Sequence, residues 1–251
     1  MIRLSLLGAI DLRGTQGEEL RSVLAQPKRL GLLTYLAIAH PSGFHSRDTL
    51  LALLWPELNQ EHGRAALRQA LYALRQALGR GIMVTCGDGV IGLDHQHVWC
   101  DVRAFDAALD QGKRVEAMTL YGGELLAGFH LVGVPEFDWW VDRQRVRLQT
   151  RAAKAACALM ENAKLLGDLN QALEWAFRLL SIHPDDERAV REAIALHNQL
   201  GDRIAALRLY RDFRRRIAAD YGVEPTPETQ AMVSDITSHA GRALPVRLAQ
   251  P

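Results

Sequence analysis

The chain has 251 residues, 48% of them hydrophobic and 24% charged, with a formal net charge of +1. That is enough apolar material for one large core or two modest ones, and it excludes collagen-like, low-complexity and extensively disordered chains. Cys86, Cys100 and Cys157 include no C-x-x-C pair, which argues against a disulfide framework or a thiolate zinc site and fits a cytoplasmic protein. No secretory signal is read at the start, and "LGLLTYLAIA" (30–39) is about half the length of a bilayer-spanning helix, so no membrane partner is expected. Residues 1–100 carry 10 Lys/Arg against 8 Asp/Glu and the remainder 20 against 21, so any nucleic-acid case rests on where the arginines lie.

Taken in order, "IRLSLLG" and "AIDLRG" read as short strands. A first helix is predicted from Pro27 through "KRLGLLTYLAIA" to His40, stopped by Pro41 and Gly43. A second begins after Ser46 as N-cap, as "RDTLLALLW", and ends before Pro56. The third is "GRAALRQALYALRQALG" (63–79), after which "IMVTC" and "VIGLD" flank "GDG" as a hairpin. Beyond residue 100 nearly everything is helical. "LGDLNQALEW" from Leu166 and "LGDRIAALRL" from Leu200 recur after 34 residues, the tetratricopeptide (TPR) period of two antiparallel helices, with Ala172-Leu173 matched by Ala206-Leu207. Pro184-Asp185 marks a helix break, and "GVEPTPETQAM" a turn followed by a helix entered at Thr226 or Pro227.

The third helix carries the chemistry. At about 100° per residue, Ala66, Leu67, Ala70, Leu71, Ala73, Leu74, Ala77 and Leu78 fall within roughly 160° and form a core face. Arg64, Arg75, Arg68, Tyr72, Gln76 and Gln69 follow one another on the opposite side, with no acid among residues 63–79. A solvated helix usually mixes charge signs, whereas Arg and Gln bond bidentately to guanine and adenine edges and Arg and Tyr reach phosphates. Strand, helix, helix, helix, hairpin is also the order of a winged helix, whose third helix enters the major groove.

"HSRDTLLALLWPE" (45–57), the third-helix stretch and "VTCGDGVIGLD" (84–94) together resemble the OmpR/PhoB-type winged helix, with "IRLSLLGAIDLRG" similar to its N-terminal strands. "DVRAFDAAL" (101–109), "LYGGELLAGF" (120–129), "EFDWWVDRQRVRL" (136–148) and "GVEPTPET" (222–229) are similar to the bacterial transcriptional activator domain. The pairing resembles the antibiotic-regulatory-protein (SARP-type) activators over about residues 1–240. The resemblance implies a mainly α fold, with a winged helix-turn-helix and its small β elements over 1–97, an all-α TPR-like domain over 98–240, and a linker or tail over 241–251. It also implies a non-enzymatic activator without cofactor that binds direct repeats in double-stranded promoter DNA, as a homodimer or paired protomers, and recruits RNA polymerase. Carried over by position, Arg64, Arg68, Gln69, Tyr72 and Arg75 are candidate base contacts, with Gln76 on the same face, while Lys28 and Arg29 open the first helix where a phosphate is favoured. The wing departs from the family pattern, with Cys86 and Asp88 where a basic or aromatic residue is common.

Rival readings are fewer. His95, His97 and Cys100 could ligate zinc, against a plain reading as the end of the wing strand and the start of the helical domain. "DWW" (138–140) reads as helix-to-helix packing, and "RDFRRR" (211–216) and "RVRLQTRAAK" (145–154) as solvated basic faces or further contacts. No nucleophile elbow, phosphate-binding loop or dinucleotide fingerprint occurs. Two alternatives to a DNA-binding activator stay open. One is a TPR-like protein-interaction module whose winged helix docks without DNA. The other is the N-terminal regulatory part of a larger ATPase-containing signal-responsive regulator, since "ALPVRLAQP" is similar to the segment joining the two in longer relatives.

Overall fold

The computed structural model describes residues 1–41, 43–79, 81–87 and 89–238. The expected tail at 241–251 and Asp88 of the wing turn lie outside them. The chain divides into two compact units, Met1–Ala152 and the residues from Ala153 on.

In the first unit, alternation in "IRLS" and "DLR" builds β1 (Ile2–Ser5) and β2 (Asp11–Arg13) as an antiparallel pair, with buried Leu4 opposite buried Leu12. After a short α1 (Arg21–Leu24), α2 (Pro27–Ile38) starts on its proline and buries Leu30, Leu32, Leu33 and Leu36. It stops two residues before His40, because Ala39 is already extended at ψ 147°. β3 (His45–Ser46) leads into α3 (Arg47–Leu54), where the Ser46 hydroxyl accepts the Thr49 N–H at 3.0 Å as the N-cap rule requires.

The third helix, α4 (Gln60–Leu78), begins three residues earlier than its pattern suggested, since Asn59 is the cap and accepts the His62 N–H at 2.9 Å. β4 (Met83–Cys86) and β5 (Val90–Leu93) form the expected hairpin, with Cys86 opposite Val90. Two strands were not foreseen. β3 pairs with β5, giving a sheet in the order β3-β5-β4. β6 (Val98–Cys100), read from sequence as the end of the wing strand, instead runs parallel to β1 with Val98 opposite Ile2, giving the order β2-β1-β6.

β6 delivers Asp101, the first residue of α5 (Asp101–Asp110), into the core. Its carboxylate accepts the backbone N–H groups of Leu6 (2.7 Å), Leu7 (2.9 Å) and Val102 (2.8 Å). Burial pushes its pKa up, against which these donors pull it down. Burial, with the neighbouring Asp101 charge, pushes the Cys100 thiol up to about 12.

After α6 (Arg114–Leu120), the "YGGELL" segment lies against the end of β1: Gly8 N–H donates to Glu124 O and Leu126 N–H to Leu6 O. A Cβ on Gly122 would stand 2.6 Å from the Leu7 carbonyl oxygen, so only glycine fits there. α7 (Pro135–Leu165) then contributes Phe137 and Trp140, with ring centroids 5.5 Å apart, and Trp140 packs 4.9 Å from Tyr35 of α2. "DWW" is thus divided, Trp140 being 7% exposed and Trp139 59%. The basic run at 145–154 is largely held within its unit. Arg145 donates to the Leu125 and Leu126 carbonyls, Arg147 pairs with Asp106, and Arg151 with Asp106 and Asp110.

The second unit contains the end of α7, α8 (Leu169–Ile182), α9 (Glu187–Gln199), α10 (Arg203–Tyr221) and α11 (Pro227–Ser238). The repeated Leu-Gly-Asp is one device used twice. Gly167 and Gly201 take positive φ (75° and 81°) to end a helix. Asp168 and Asp202 donate back five residues, to Ala163 O and His197 O, and then cap the next helix by accepting from Gln171 and Ala205 N–H. Ala172 and Ala206, fully buried, follow at equivalent places. Small residues let the helices approach in one cluster (Met160, Ala163, Ala172, Ala176, Ala193, Leu196), and Phe213 centres the other with Ile194, Ile217 and Val233.

"GVEPTPET" closes this unit. Glu224 pairs with Arg214 at 2.5 Å, while Glu187 of α9 accepts from the Thr226 N–H and hydroxyl and from the buried Thr229 hydroxyl. "RDFRRR" is likewise largely absorbed: Arg215 pairs with Asp212 and Arg216 with Asp185. At Glu187, desolvation raises the pKa, but the threonine hydrogen bonds outweigh it and hold the carboxyl below its ordinary 4.5. A depressed folded pKa means stability present above the unfolded value and lost as pH falls from about 4.5 through the folded pKa. Denaturation curves at about pH 7 and about pH 3 are therefore expected to show a smaller acid loss for Glu187→Gln than for the parent chain.

The architecture is mainly α: a winged helix with two small sheets, followed by TPR-like helices. No helix among the described residues is long and apolar enough to cross a membrane.

Candidate nucleic-acid interface

The apolar stripe of α4 does what its period dictates: Leu67, Ala70, Leu71, Leu74 and Leu78 are buried. This anchors the helix and turns its other face outward. Arg64, Arg68, Gln69 and Gln76 are exposed, Tyr72 is 64% exposed, and Arg75 is half-buried. None of the three arginines makes an ion pair among the described residues, in contrast to the arginines clamped at 145–151 and 214–216. The face is not wholly acid-free, because the earlier start of α4 adds exposed Glu61 in its first turn, where it complements the helix dipole.

The predicted residues fall into two recesses and a ridge. Arg64 and Arg68 share a groove of about 320 Å³ with Arg47 of α3 and Gly89 of the wing turn. Arg47 N–H donates to Gly89 O at 2.9 Å, which ties the start of α3 to the wing. Arg47 was missed in the sequence because nothing local distinguishes it; its relevance comes from packing beside Arg64. Gln69 instead borders a second recess of about 480 Å³ with Lys28, Arg29 and His130. There Lys28 pairs with Glu57 at 2.5 Å and lies 5.7 Å from the Trp55 ring centroid, and Arg29 donates to Ser22 O. The α2 N-cap, Gln26, makes no side-chain cap, and its carbonyl accepts the Arg29 and Leu30 N–H groups at 2.9 and 3.1 Å. Tyr72, Arg75 and Gln76 border neither recess and continue the ridge toward the end of α4.

The zinc reading of 95–100 does not assemble. His97 Nδ1 lies 2.8 Å from Asp94, Cys100 is buried beside Asp101, and burial, with Arg103, lowers the His95 pKa. No group of three or more His, Cys, Asp or Glu among the described residues is placed to hold a metal.

A winged helix with an exposed arginine-bearing third helix, joined in sequence to TPR-like helices, defines the class of protein. Residues 100–237 match the bacterial transcriptional activator domain, and the chain belongs to that family. With the winged helix ahead of the domain, the chain is of the SARP type. Among curated proteins it is similar to the regulatory protein AfsR of Streptomyces griseus, 28% identical over 237 residues. The match covers 90% of this chain and about a quarter (24%) of that relative. Among solved structures it is similar to Mycobacterium tuberculosis EmbR, determined in complex with a low-affinity phosphopeptide. The TM-score is 0.63 at 21% identity, over 95% of this chain and 65% of that one, a likeness of fold.

Proposed function

We propose that the chain is a cytoplasmic, non-enzymatic, sequence-specific DNA-binding activator, with its winged helix over 1–97 and its activator domain over 98–240. α4 lies in the major groove, where Arg68, Gln69, Tyr72 and Arg75 read base edges and Arg64 and Gln76 flank them. The wing and the α2 start, with Lys28 and Arg29, face the phosphate backbone. The helical domain contacts RNA polymerase or a second protomer on direct repeats. The observation that carries this reading is the α4 face itself: three arginines without ion pairs among the described residues, two glutamines and an exposed tyrosine, held outward by a fully apolar opposite stripe.

Selection of bound sequences from random double-stranded DNA tests it, because enriched half-sites report specificity and their spacing reports how protomers are arranged. On the selected site, affinity should fall steeply with salt, with a log–log slope of about −0.9 per phosphate contacted. Failure to enrich any sequence, with salt-insensitive association to protein partners, would favour the interaction-module alternative. Arg68→Ala is expected to weaken the selected site by about 1–3 kcal/mol and to relax preference at one base pair, read by gel shift across a panel of mutated sites. Uniform weakening across the panel would demote Arg68 to a phosphate contact.

A further inference from the structure

The helices of the second unit leave a groove of about 170 Å³ between α7 and α9, floored by α8. Ala153, Cys157 and Met160 recur at i, i+4 and i+7 and so present one face of α7, which Leu179 and Ala189 complete from α8 and α9. The volume is about six times the ~30 Å³ share of a water molecule, room for one aromatic ring or a short acyl chain.

Charges surround this floor, and their bookkeeping is uneven. Glu192 binds Lys164 at 2.7 Å and Glu161 reaches the same ammonium at 3.3 Å. One carboxylate oxygen of Asp186 already accepts the Arg188 and Ala189 backbone N–H groups. Each rim acid therefore has a partner within the unit, Glu161 and Glu192 sharing one ammonium and Asp186 using one of its two oxygens. Lys154 and Arg188, both exposed and both lining the groove, have no side-chain ion pair or hydrogen bond among the described residues.

We propose that this groove is a binding site for a small apolar carboxylic acid. Its ring or acyl chain covers Cys157, Met160 and Leu179, and its carboxylate meets the Arg188 guanidinium and the Lys154 ammonium. An ammonium and a planar guanidinium left without partners beside an apolar floor suit a monoanion with a hydrophobic body better than a neutral or a cationic molecule. The inference is independent of whether α4 binds DNA.

The test uses the full chain and its own thiols. Cys157 is half-buried in the groove wall, Cys86 is exposed elsewhere, and Cys100 is buried, so alkylation by iodoacetamide followed by mass spectrometry reads groove and control sites together. Phenylacetate and octanoate, with phenylacetamide and octanamide as neutral counterparts, are added at concentrations up to ~10 mM, suited to millimolar affinity. At least one acid should slow Cys157 alkylation by about fivefold or more while Cys86 is unchanged, the amide should not, and Lys154→Ala/Arg188→Ala should lose the protection with its helical circular dichroism intact. The proposal is overturned if neither acid protects Cys157, if an amide protects equally, or if protection survives in the double variant.

Discussion

Replacing Arg64, Arg68 and Arg75 together with alanine is expected to remove specific promoter binding while leaving the fold in place. At about 1 kcal/mol or more for each arginine, the loss is at least ~3 kcal/mol, over 100-fold in affinity. The salt slope should also become shallower, by up to about 0.9 for each of the three that contacts a phosphate. Stability should hold, since Arg64 and Arg68 are exposed, Arg75 is half-buried, none has an ion pair among the described residues, and alanine is the strongest helix former. Gel shift with the selected site, beside circular dichroism of the same samples, decides the matter. Binding kept within about threefold by a folded triple variant would move the DNA-reading surface away from α4.

The second large effect concerns Asp101, whose carboxylate gathers three backbone donors from two places in the chain. In Asp101→Ala the N–H groups of Leu6, Leu7 and Val102 lose their acceptor in a buried setting, at about 1–3 kcal/mol each. The expected loss of about 3 kcal/mol or more is a large share of the 5–15 kcal/mol that typically holds a domain together. Asp101→Asn keeps one carbonyl acceptor but turns an NH₂ toward an N–H, so it should fall between. Urea denaturation ranks the three chains, and an alanine variant as stable as the parent would show that these donors find water instead.

What could be read in the sequence follows how local its causes are. α2 and α3 are announced by Pro27 and Ser46, which act within one turn, and both Leu-Gly-Asp turns are built from a glycine and an aspartate that need only their neighbours. The amphipathic face of α4 was legible for the same reason, but its start was not. The acid-free stretch drew attention to Gly63, while the cap lies at Asn59, and Glu61 entered the exposed face with it. β3 and β6, two and three residues long, carry no pattern of their own and exist because Ile91 and Ile2 lie opposite them. The place of Arg47 beside Arg64, and the division of labour between Trp139 and Trp140, are consequences of packing that no spacing encodes.

The pairing of Ile2 with Val98 also sets a timetable for synthesis. On the ribosome β1 and β2 leave the exit tunnel together, yet the strand on the other edge of β1 and the carboxylate that caps it arrive almost a hundred residues later. Until then its edge stands open to other chains. The later helices obey a different clock, since α8, α9 and α10 each follow their neighbour after a turn of a few residues and can pack in the order they emerge. A ribosome that pauses before residue 100 would therefore endanger the part of the chain that carries α4, which closes only once Leu126 has reached Leu6 and Trp140 has reached Tyr35.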